Sequence, residues 1–272
     1  MVDFLIRHDR LEMECPKAFG WFHLMCIGIT MALIGWFIYR RAKGKMPSPG
    51  PVFAIYGITT LVLELMKQFM WAVGREGGVV VWDYSWYSAP FQFCTMPMYI
   101  TLLWLIIPHK KVRNALECFL GFFSVISMAL VMMIPGDVFT RNPVINVHTM
   151  VMHAGGLVVA IYVLLSKRVE FSVKSLLKGG IVFLSTAALA LFMDILVVKL
   201  GLNHGETFNM FYISPYYDCT LPVLSDIYKV VPYPVFLLIY FVAFGLGALV
   251  VVSLCKGIRK IETKITPKIK NA

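Results

Sequence analysis

The sequence predicts an all-α polytopic membrane protein: a seven-transmembrane-helix bundle forming one domain over residues 1–272, with the N-terminus outside and the C-terminus cytoplasmic. Three observations predict it. The chain is 59% hydrophobic and only 15% charged, where a soluble domain carries about 25% charge. Its apolar residues fall in blocks of about 20, the length that crosses a bilayer core. Its basic residues gather in alternate loops.

The blocks are 18–39, 52–73, 89–107, 114–134, 144–165, 179–200 and 234–255. Barrel strands would be shorter and would alternate in polarity, so helices are expected. The first block lacks a basic leader and a small-residue cleavage site, which favours a retained helix over a signal peptide. No lipidation motif is visible at either end. The chain shows no matched pair of broken helices of the kind that marks a pseudo-symmetric transporter.

A formal net charge of +10 raises the question of nucleic acid, but the distribution of charge answers it. Of the Lys and Arg residues, 17 lie on one side, in 40–45, 110–113, 167–178 and the tail 256–270. The other side has 7 (Arg7, Arg10, Lys17, Arg75, Arg141, Lys199 and Lys229), and Lys67 falls inside a helix. The positive-inside rule sets the orientation from that split. The basic tail is either a plain topology signal or a grip on anionic headgroups. A multi-pass protein of the plasma membrane is expected, with membrane lipids as partners and no nucleic acid.

Six cysteines occur at 15, 26, 94, 118, 219 and 255, with no CxxC or CxxxC pair, so neither a zinc ribbon nor a redox pair is indicated. No cofactor and no resident metal are expected. Cys26, Cys118 and Cys255 read as membrane-core residues, while Cys15 and Cys219 fall on the same outer side and could pair.

The remaining polar residues sit at one depth. At 1.5 Å of rise per residue, Gln92, Cys94, Lys67, Glu64, His148, His153 and Asp194 lie about 5 to 14 Å below the outer surface. Ionisable groups facing lipid cost several kcal/mol each, so four helices are expected to turn these groups into a shared outer pocket. Glu64 and Lys67 are neighbours on one helical face and could simply neutralise each other. Asp194 could anchor to Lys67. His148 and His153 are about 140° apart around their helix, so one faces inward. His153, followed by Gly155 and Gly156, is the interior candidate, and His148 is expected at the rim.

The third block, SAPFQFCTMPMYITLLWLII, places Gln92 and Cys94 between Pro90 and Pro97. Pro90 suits a helix start, whereas Pro97 would free a carbonyl near Phe93 and widen the turn. A buried thiol is inert unless an imidazole takes its proton. His153 is the candidate partner, and the turn around Cys94 reads as an acyl-accepting site with Gln92 as a donor beside it.

PFQFC at 90–94 resembles the Pro-Leu-His-x-Cys segment of the YwaF-type integral membrane family, which includes transmembrane protein 164. LELMK at 63–67 is similar to that family's Glu-Leu-x-Lys stretch, IPGDVF at 134–139 to its Pro-Asp turn, and VMHAGGLVVAIYVL at 151–164 to its His-bearing fifth helix. FNMF at 208–211, Pro215, Pro232 and Tyr233 resemble the segment before its last helix. The resemblance covers roughly 50 to 255. It implies an acyltransferase that moves fatty acyl chains between phospholipids through a Cys and a His, falling by position on Cys94 and His153. Two places depart from the pattern. The family His is Gln92 here, and the Asn-Tyr-Met triplet is rearranged around Asn209, which would place Asn209 off the expected face.

The scheme expected from these residues has Cys94 as nucleophile and His153 as general base and acid. Gln92 and Lys67 would stabilise the oxyanion, Glu64 would hold Lys67, and Asp137 would orient an imidazole. Asp194, His148 and Asn209 would line the substrate site, while the aromatic loop 201–233 would cover it or form an interfacial belt. Two alternatives stay open. One is a transporter or lipid-binding protein using the polar site. The other is a metal-dependent lipid hydrolase using His148, His153, Asp194 and Glu64, although no HxxxH or HExxH spacing supports it.

Overall fold

The computed structural model describes residues 12–76, 79–135 and 138–270. Among them, six helices are long and apolar enough to cross a membrane, and a shorter apolar one follows the second. The architecture is that of a multi-pass integral membrane protein. In chain order the helices are α1 Trp21–Ala42, α2 Pro49–Ala72, α3 Met96–Ile106, α4 Lys110–Met133, α5 Pro143–Leu165, α6 Val173–Lys199, the short α7 Leu224–Val230 and α8 Tyr233–Lys270.

The ends of these helices follow local chemistry. Pro49 and Pro143 open α2 and α5 at positions whose N–H groups would have no helical partner anyway. Asn142 Oδ1 accepts from Val144 N at 2.9 Å and Ile145 N at 3.3 Å. Arg40 and Arg41 occupy the last turn of α1, where they complement the helix dipole. One π turn, Leu120–Ser124, lies inside α4.

Burial is inverted relative to a water-soluble protein. Ile55, Leu65, Ile181, Leu184, Leu238 and Leu254 are exposed, an apolar coat that only lipid tolerates. Helices α4 and α5 form the centre, with 67% of their apolar windows buried against 22–28% for α1, α2, α6 and α8. Small residues set the close approaches. A Cβ on Gly179 of α6 would lie 3.0 Å from the Cys118 backbone of α4, and one on Gly57 of α2 would lie 2.9 Å from Thr101 Oγ1 of α3.

Two features of the structure correct or extend the sequence reading. First, a two-stranded antiparallel hairpin, Val73–Glu76 with Val79–Trp82, continues directly from α2. Second, the third span does not begin at residue 89. Its helical part starts with a 3-10 turn at Phe93–Thr95 and ends at Ile106, about 21 Å at 1.5 Å per residue, against a core of about 30 Å. Pro90 therefore lies outside the helix. Pro97 sits in the first turn of α3, where proline is tolerated, and Met96 N bonds the Phe93 carbonyl.

Candidate functional site

Two non-helical segments enter the same end of the bundle, and each survives there because side chains satisfy its backbone. Backbone at membrane depth needs such partners, since lipid offers none. In the segment before α3, the Ser88 carbonyl accepts from Gln68 Nε2 at 2.7 Å and Lys67 Nζ at 3.2 Å. The Pro90 carbonyl accepts from Tyr99 Oη at 2.7 Å and Thr95 Oγ1 at 3.1 Å. The second segment follows α6. It buries Phe208, Met210, Phe211 and Ile213 almost completely, so this stretch belongs to the core.

The second segment explains Gln92, Asp194 and Asn209. Gln92 Nε2 donates to the Asn209 carbonyl at 2.9 Å, and Gln92 Oε1 accepts from Phe211 N at 3.0 Å. Both ends of the amide are thus engaged, and Gln92 acts as a clamp between the two segments in place of the expected oxyanion donor. Asp194 Oδ1 accepts from Met210 N at 2.7 Å, so the expected pairing with Lys67 is not formed. Asn209 is buried, accepts from Ser214 N at 2.9 Å and donates to the Asp218 carbonyl at 3.0 Å. Tyr240 Oη closes the set on the Phe211 carbonyl at 2.9 Å.

Glu64 centres the first network. Its Oε1 lies 2.7 Å from Lys67 Nζ and accepts from Gln68 Nε2 at 2.7 Å. Its Oε2 lies 2.7 Å from His148 Nε2. Tyr84 Oη extends the chain to Gln68 Oε1 at 2.7 Å. His148 is therefore buried between α2 and α5, which corrects its expected place at the rim. Its Nδ1 has no hydrogen-bond partner among the described residues.

Cys94 stands between these networks. The Phe93 ring is locked in an aromatic cage, with centroids 5.1 Å from Phe244, 5.5 Å from Phe183, 5.5 Å from Phe211 and 5.9 Å from Phe119. That anchor fixes the turn. One residue on, Cys94 keeps accessible surface while Phe93 and Thr95 are buried. Lys67, whose Nζ reaches the Ser88 carbonyl at 3.2 Å, ties the Glu64 network to the segment that leads into Cys94.

His153 is also buried. Its Nδ1 lies 2.7 Å from the Thr149 carbonyl; a carbonyl can only accept, so Nδ1 carries the proton and Nε2 keeps its lone pair. Helix α5 packs against the Phe93–Thr95 turn. No hydrogen bond joins Cys94 to His153 among the described residues. Tyr56 of α2 packs its ring on Gly155 and its hydroxyl on Gly156 of α5, and its Oη donates to the Met152 carbonyl at 3.1 Å.

Asp137 falls outside the described residues. Cys15 and Cys219 are free thiols, the first exposed and the second buried, so the pairing left open by the sequence is not formed. Among the described residues no three His, Cys, Asp or Glu side chains converge as metal ligands. The sequence reading missed Gln68, Tyr84, Ser88 and Tyr56. A signal existed only for Gln68, which is four residues from Glu64 on the same helical face.

We found no match among curated proteins and none among solved structures. Residues 18–253 match the TMEM164 family, and the chain belongs to that family.

Proposed function

We propose that this protein transfers fatty acyl chains between membrane lipids, with Cys94 as the nucleophile. One observation carries the reading: a half-buried cysteine at the head of a short membrane helix, flanked by buried residues, with the His153-bearing helix packed against its turn. The acyltransferase activity implied by the sequence resemblance points the same way. The orientation given by the basic residues puts this chemistry in the outer half of the plasma membrane.

In the first half-reaction an ester carbonyl binds at Cys94. His153 Nε2 takes the thiol proton, and the sulfur attacks the carbonyl carbon. The ester C–O bond then breaks, and the imidazolium returns its proton to the departing lysolipid hydroxyl, leaving a thioester. In the second half-reaction an acceptor hydroxyl attacks the thioester, the C–S bond breaks and the thiol is restored.

The test is labelling of the full-length protein in membranes with an alkyne-bearing fatty acyl phospholipid. We expect a hydroxylamine-labile label on wild type and none on Cys94→Ala. Equal labelling of the variant would end the thioester scheme.

A second reading, a transporter, draws on the Glu64–Lys67–His148 ion cluster at membrane depth. Solute or proton flux in proteoliposomes that vanishes in Glu64→Gln but persists in Cys94→Ala would favour it.

A further inference from the structure

We propose that His148, held by Glu64, is a second acid–base residue of this site and activates the acceptor hydroxyl in the second half-reaction. The inference rests on the acyl-transfer reading above and adds a residue and a division of labour to it.

His148 carries an unsatisfied atom. Buried polar atoms nearly always find a partner, and one that does not calls for an explanation. His148 Nδ1 is buried without a hydrogen-bond partner among the described residues, while Nε2 of the same ring is fixed at 2.7 Å from Glu64 Oε2. A carboxylate accepts, so Nε2 carries a proton toward Glu64. In the neutral ring Nδ1 is then a lone pair with nothing to bind. A hydroxyl group is the ligand chemistry that fits: it donates to that lone pair and can surrender its proton there.

The two histidines differ in what stabilises their charged forms. His153 Nδ1 rests on a backbone carbonyl of its own helix, which offers a dipole and no charge. His148 rests on a carboxylate, the arrangement that orients an imidazole and compensates the imidazolium in hydrolytic triads. Lys67, 2.7 Å from the other Glu64 oxygen, tempers that compensation and keeps the carboxylate in place. Lys67 Nζ also holds the Ser88 carbonyl at 3.2 Å, and α5 packs against the Phe93–Thr95 turn, so the dyad adjoins the segment that carries Cys94. In the proposed step His148 Nδ1 removes the acceptor's hydroxyl proton as oxygen attacks the thioester carbon. The C–S bond breaks, and the Cys94 thiolate takes the proton back from the imidazolium. Glu64 is a positioning residue throughout.

The experiment separates the half-reactions in the full-length protein reconstituted with a labelled phospholipid donor. One measurement is thioester formation on Cys94 without acceptor; the other is loss of the thioester after adding lysophosphatidylcholine. We expect His148→Gln to form the thioester at close to the wild-type rate and to discharge it about a hundredfold more slowly, the range for losing one general base. Glu64→Asp, which keeps the carboxylate, should recover part of the discharge rate that Glu64→Gln loses. Wild-type discharge in His148→Gln would overturn the inference while leaving the acyl-transfer reading standing. Absence of any thioester in wild type would overturn that reading itself. Should His148→Gln fail to fold, the Glu64→Asp and Glu64→Gln pair decides, and equal discharge rates in those two overturn the inference.

Discussion

Glu64 and Glu117 are equally buried, at 2% exposure, and each lies 2.7 Å from a cation. They sit at opposite ends of the bundle and do different work. Glu117 Oε1 accepts from Trp104 Nε1 at 2.9 Å and Arg168 Nε at 2.8 Å, and the Arg113 guanidinium covers the same indole at 4.3 Å. Every partner there is satisfied, and Arg168 reaches the surface with 34% of its side chain exposed. Glu64 holds a more enclosed cation, Lys67 at 14%, and an imidazole whose far nitrogen is bare. A buried charge pair alone is weak evidence of function. The difference lies in what is left unfinished: the Glu117 cluster staples α3, α4 and the chain after α5, while the Glu64 cluster leaves His148 Nδ1 without a partner among the described residues.

Substitutions at the two carboxylates test that contrast. The largest stability effect is expected for Glu64→Gln, which leaves Lys67 without its counter-charge in a buried place. A loss of about 3–5 kcal/mol is the range for breaking such a pair, and thermal unfolding in detergent measures it. If Glu64→Gln destabilises no more than Glu117→Gln, the two clusters are energetically alike and the contrast fails.

Glu117→Gln should cost about 1–3 kcal/mol, because Arg168 can swing to the headgroups while the carboxylate's charge-assisted bonds are lost. It should leave thioester formation on Cys94 unchanged. A loss of labelling in a folded Glu117 variant would tie the far end of the bundle to the chemistry.

Tyr84→Phe removes only the outermost link of the Glu64 chain, the bond to Gln68 Oε1. We expect about 0.5–1.5 kcal/mol and a small change in transfer rate. A drop as large as that of His148→Gln would make Tyr84 part of the proton path.

Much of the framework was readable from single residues. The seven apolar blocks correspond to α1–α6 and α8, because hydropathy and helical rise are local properties. The start of the third span was not readable, because Ala89, Phe91 and Phe93 look as helical as the residues after them. What stops the helix there is the set of bonds that Gln68, Lys67, Tyr99 and Thr95 make to the Ser88 and Pro90 carbonyls. Gln92 was legible as a polar residue with a purpose, but its purpose is set by a loop 117 residues further along. Glu117 drew no attention in the sequence, since it stands near the mouth of its span, where a carboxylate could face water.

Residue chemistry alone set the solvent, the approximate place of the apolar helices, and the short roster of groups too polar to face lipid. Each of these follows from transfer free energy and from the rise of a helix, which need no knowledge of neighbours. The partners themselves come from three-dimensional packing: Glu64 meets His148 across 84 residues, Asp194 meets Met210 N instead of Lys67, and Tyr56 Oη reaches the Met152 carbonyl. Those pairings depend on the rotation of each helix about its axis and on where glycines let two backbones close in, and both are fixed by packing over the whole bundle.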